Sequence, residues 1–85
     1  MIQEIIDQTT VAIAGAIRNG WNEAEYIHPC MGGEIYVCVA PNKRPDIGIT
    51  DADGEDVECP LIHDSLVAEL PLWSDVELEI ENCTF

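Results

Sequence analysis

At 85 residues the chain has room for one domain built on a single modest core. A hydrophobic content of 47% excludes a disordered polymer, and no apolar run approaches the roughly 20 residues of a membrane span. Seventeen acidic residues against three basic ones give a net charge of −14. That charge excludes direct binding to nucleic-acid phosphates or to an anionic membrane, and favours basic partners or cations.

The charge is unevenly spread. Arg18, Lys43 and Arg44 are the only cations, and twelve of the seventeen acids follow Arg44. The segment Met1–Asp7 carries acids and no basic region of the kind that opens a secretory signal, so the expected location is cytoplasmic. Cys30, Cys38, Cys59 and Cys83 are then expected as free thiols rather than two disulfides.

In chain order, Ile2, Ile5, Ile6, Thr9, Ile13, Ala16 and Ile17 recur at helical spacing and predict a first helix. Asn19-Gly20 supplies a left-handed stop, with Trp21 folding back onto the last apolar turn. Tyr26–Cys30 has the makings of an edge strand, to which Pro29 would confine it, followed by a turn at Met31-Gly32-Gly33. Glu34–Ala40 reads as a central strand apolar on both faces, and hence covered on both. Lys43 and Arg44 sit at the tip of the next loop.

Ile47 and Ile49 then alternate against Val57 and Cys59. A two-residue Asp53-Gly54 turn would set Glu58 opposite Ile49 and bury a carboxylate. A three-residue loop, Ala52-Asp53-Gly54 with Gly54 left-handed, pairs Ile49 with Val57 and Ile47 with Cys59 instead. Pro60 opens a short helix with an apolar side of Leu61 or Ile62, Leu66 and Leu70, and Pro71 ends it. Ser74–Glu81 alternates cleanly and predicts a final strand, with Val76, Leu78 and Ile80 inward. Trp21 and Trp73 are expected as lids on the core. The whole is α+β: an N-terminal helix, an antiparallel three-strand meander with an optional extra edge strand, a short helix and a C-terminal strand. The helices pack on one sheet in a single domain over residues 1–85.

The acids are the strongest functional candidates. On a strand, Asp75, Glu77, Glu79 and Glu81 would form one row with carboxylates about 6.5–7 Å apart. Asp51, Asp53, Glu55, Asp56 and Glu58 surround the hairpin tip as a second group. Two such rows can imitate a nucleic-acid backbone and occupy the basic site of a nucleic-acid-binding protein. The plainer role for the same acids is solubility and protection of sheet edges. In size and charge the chain resembles phage-encoded inhibitors that imitate DNA.

Other chemistry is less well supported. His28, Cys30, Cys59 and His63 offer the donor set of a tetrahedral zinc site, at spacings unlike those of a common finger. Asp51-Ala52-Asp53-Gly54 fails as a calcium loop, because Ile49 and Pro60 fall where ligands are needed. Acids this abundant make a catalytic carboxylate pair unremarkable, and the overall charge opposes thiolate formation. There is no glycine-rich phosphate loop. The expected protein is thus a non-enzymatic acidic interaction protein without a cofactor, monomeric or homodimeric, with a basic protein as partner. The alternatives are a small zinc-binding protein or an oligomerising module that uses the apolar stripe of the first helix.

Overall fold

The computed structural model describes residues 1–82, which leaves Cys83 and its expected free thiol outside the described residues. The chain is α+β: a helix, a three-stranded antiparallel sheet and two further helices.

Helix α1 spans Ile2–Asn19 and buries Ile5, Thr9, Ile13 and Ala16, with Ile2, Ile6 and Ile17 half-buried beside them. Its end is a Schellman stop. Gly20 is left-handed at φ 74°, its N–H bonds to the Ile17 carbonyl, and the Trp21 N–H bonds to that of Ala16. Trp21 itself is 62% exposed, so it is not the expected lid. Trp73 is buried, as a lid requires.

Strands β1 (Ala24–Cys30), β2 (Gly33–Val39) and β3 (Asp46–Thr50) lie in that order. The expected edge strand is real, two residues longer than Tyr26–Cys30, and joined to β2 through Met31 and Gly32, both at positive φ (49° and 82°). That is the two-residue turn whose twist suits a hairpin. Gly33 has no room for a side chain, since a Cβ there would run into the Thr50 carbonyl. Ile35, Val37 and Val39 of β2 are fully buried in the same core as the α1 stripe, with Ile47 and Ile49 of β3 beside them.

The opposite face of the sheet carries Glu25, Ile27 and Glu34, all exposed. Strand β2 is therefore central but not covered on both faces, because the helices gather on one side. Helix α1 packs on β1 and meets both later helices.

The expected strand at Val57–Cys59 does not form, although its register is correct. The Val57 N–H bonds to the Ile49 carbonyl at 2.8 Å, and Thr50 bridges to Asp56. The ladder stops there because Cys59 is already the N-cap of helix α2 (Pro60–Glu69), with Pro60 in its first turn. Leu66 and Leu70 are the buried residues of that segment, Ile62 is half-buried, and Leu61 is 84% exposed.

The final strand is likewise a helix, α3, over Trp73–Asn82. Its buried residues, Trp73 and Val76, and the half-buried Ile80 recur at i, i+3 and i+7. The alternation at 76, 78 and 80 omits Trp73, and only a helix places Trp73 on the same side as Val76 and Ile80. Asp75 reinforces the start by accepting the Leu72 N–H at 3.3 Å, the return half of a capping box. Glutamate is also a good helix former and a poor strand former.

Candidate functional site

The hairpin acids sit on a rigid loop. The Asp51 N–H donates to the Glu55 carbonyl at 2.9 Å and the Gly54 N–H to the Asp51 carbonyl at 3.0 Å, with Gly54 left-handed at φ 80°. The Asp51 carboxylate accepts two further backbone bonds, from Asp53 N–H at 2.9 Å and Glu55 N–H at 3.1 Å. Asp51 is thereby a turn residue, an Asx-type brace. Asp53, Glu55, Asp56 and Glu58 are left projecting into solvent.

The second predicted group is arranged differently from the expected row. On α3, Asp75 and Glu79 share one flank, while Glu77 and Glu81 share the other, because four residues bring a helix round by a little more than one turn. Leu78, 58% exposed, stands on the crest between them. No single face presents all four carboxylates. Each flank still holds two about 6 Å apart along the axis.

Within the described residues the lysine and arginines do not offset this charge. Among the described residues, no Lys or Arg lies within 4.0 Å of a carboxylate, and the ion pairs are His28 with Glu4 at 4.0 Å and His63 with Asp64 at 3.4 Å. Lys43 and Arg44 line a separate recess of about 260 Å³ beside Trp73.

The proposed zinc set does not assemble. His28 is engaged with the Tyr26 hydroxyl at 3.0 Å, and the Cys30 thiol points to the Met1 sulfur at 3.6 Å. His63 is exposed on α2 beside Asp64. Cys30 and Cys59 line a small cavity of about 190 Å³ with Ile35, Ile49 and Ile62, where a cysteine serves as a small apolar side chain. Among the described residues, the one group of donors close enough for a metal is Glu23, Glu25 and Cys38, whose ligand atoms lie within 4.8 Å of one another.

That trio is the feature sequence reasoning missed. Its Glu25–Cys38 half follows from pairing across β1–β2, with Glu23 just before the strand, and Asp46 faces Cys38 from β3 as a further acid. Extending the first strand back to Ala24 would have revealed it. Burial raises the Cys38 thiol pKa above its ordinary value, a hydrogen bond with Tyr36 pulls it part of the way back, and Glu23, Glu25 and Asp46 push it up. The neighbouring Tyr36 hydroxyl is also raised, chiefly by burial, with Cys38 and Glu25 adding to it.

Beside the trio, a groove of about 750 Å³ opens between the last turns of α1 and the start of β1. Its floor is made of Ala12, Gly15 and Ala16, and Trp21, Glu23 and Glu25 stand along it. No protein family, curated protein or solved structure matches this chain. No helix among the described residues is long and apolar enough to cross a membrane.

Proposed function

We propose that this chain is a non-enzymatic, cytoplasmic interaction protein that occupies the basic site of a nucleic-acid-handling protein, substituting its carboxylates for phosphates. The observation that carries this reading is the absence of internal neutralisation by lysine or arginine. Seventeen acids face three cations, and among the described residues no carboxylate pairs with a Lys or Arg. A fold that used its acids for its own stability would pair them; these remain available to a partner. The projecting hairpin acids Asp53, Glu55, Asp56 and Glu58 form the main contact, with the flanks of α3 (Asp75 with Glu79, Glu77 with Glu81) as the second. Asp51 holds the loop in shape.

The two rival readings lose support. The zinc set His28, Cys30, Cys59 and His63 is dispersed. The apolar stripe of α1 is spent inside the protomer, where Ile5 and Ile13 are fully buried.

The test is capture from host lysate at low salt, followed by elution with duplex DNA or with rising salt. A basic protein displaced by both agents, and lost when Asp53, Glu55, Asp56 and Glu58 are changed to Lys, is the expected result. Capture that survives either the DNA or the charge reversal would overturn the reading.

A further inference from the structure

The groove beside α1 allows the partner's chemistry to be stated more closely, on the assumption that the partner is basic. The turn at Met31-Gly32 makes Cys30 and Gly33 a hydrogen-bonded pair, and the ladder alternates from there. Glu25, Ile27 and Pro29 therefore fall at the positions whose backbone groups face away from β2, toward the free edge of the sheet. Pro29, which has no N–H to offer, sits where a ladder bond is not required of it. At Glu25 and Ile27 the edge keeps its donors and acceptors.

The groove opens at the start of this edge, where Ala24 and Glu25 line it, and its floor is shallow by composition. A side chain added at Gly15 would meet nothing within 4 Å, so an incoming backbone can approach α1 closely. Glu23 and Glu25 supply carboxylate oxygens within 4.8 Å of each other. Trp21 adds an indole that is 62% exposed, and no Lys or Arg lines the groove. Two close carboxylates beside an open aromatic face complement a planar, delocalised cation that can both fork and stack. Arginine meets that description and lysine does not.

We infer that an extended, arginine-bearing segment of the basic partner lies in this groove along the free edge of β1, its guanidinium held by Glu23 and Glu25 against Trp21. The edge supplies backbone pairing, the small-residue floor supplies room, and the acids and indole select the side chain.

The experiment titrates the full-length protein, at low salt and with a chelator present, with capped extended peptides that differ only at a central Arg, Lys or citrulline. Trp21 fluorescence is the signal, and a Trp21→Phe variant identifies the contribution of buried Trp73. The Arg peptide should bind at least about tenfold more tightly than the citrulline peptide, and Lys should fall between them. Glu23→Gln with Glu25→Gln, and separately Gly15→Leu, should each weaken the Arg peptide by a similar factor. Gly15→Leu fills open space and should leave the circular dichroism unchanged. Equal affinity for Arg and citrulline would overturn the inference. So would indifference to the groove variants, a response that appears only with zinc in place of chelator, or self-association through the β1 edge in the centrifuge. If the Asp53, Glu55, Asp56 and Glu58 reversal abolishes capture while the groove variants bind peptide normally, the groove inference falls and the acidic reading stands. If the peptide binds as expected but no lysate protein is displaced by DNA, the reverse holds.

Discussion

Glu25 and Cys38 stand directly opposite each other across β1 and β2, in a pair that shares no backbone hydrogen bonds, and Asp46 faces the same thiol from β3. Such pairs bring facing side chains closest together. The thiolate of Cys38 would form among carboxylates on the open face of the sheet; burial opposes it most, the charges of Glu23, Glu25 and Asp46 add to that, and a hydrogen bond from Tyr36 offsets only part of it.

A slow thiol is the expected consequence. Alkylation of Cys38, followed by peptide mapping across a pH series, should show a midpoint above the ordinary value of about 8.5. Glu25→Gln should move that midpoint down. The raised pKa means the folded state holds the proton more tightly than the unfolded state does. Its contribution to stability is complete below about pH 8.5 and is lost as pH rises through the folded value. Chemical denaturation should accordingly show a decline in the alkaline range that is smaller in Cys38→Ala. A midpoint at or below the ordinary thiol value would contradict the arrangement.

The two sides of α3 should respond differently to truncation. Val76 is 3% exposed against the core, whereas Leu78 is 58% exposed. Val76→Ala should cost about 1.5–3 kcal/mol in urea denaturation, and Leu78→Ala should stay within about 0.5 kcal/mol. Similar, large losses at both positions would mean that the two side chains share an inward face, as they would on a strand.

That contrast marks where the sequence was readable. The stripe from Ile2 to Ile17 and the Asn19-Gly20 stop are long-range periodic and local chemical signals in agreement, and α1 follows them. The register of Ile49 with Val57 was legible because a slip of one residue would have buried Glu58. Over Ser74–Glu81 two periods competed within one short stretch. The deciding residue, Trp73, lay just outside the alternating segment, and Asp75 acts as a capping residue only once the helix exists. The candidate site suffered in the same way. Glu25, Cys38 and Asp46 lie far apart along the chain and come together only through strand pairing. His28, Cys30, Cys59 and His63 had an attractive donor set, yet the fold brings only Cys30 and Cys59 to one apolar cavity and does not gather the four at ligand distance.

Thr9 offers a test of the core itself. It lies in the middle of the buried stripe of α1, 1% exposed, and among the described residues its hydroxyl has no hydrogen-bond partner. Its neighbour Thr10 satisfies its own hydroxyl on the Ile6 carbonyl at 2.8 Å, so the difference lies in the surroundings and not in the residue type. An unmet buried hydroxyl carries its desolvation cost without return. Valine keeps the branched shape and nearly the same helix propensity while removing that cost. Thr9→Val should therefore stabilise the protein by about 1 kcal/mol, which raises the melting temperature of a domain this size by about 4–8 °C. Thr9→Ala removes the hydroxyl and also the methyl group, leaving a cavity that offsets the gain, so it should melt below Thr9→Val. A Thr9→Val protein that melts no higher than the parent would show that the hydroxyl is satisfied in solution, with a buried water as its partner.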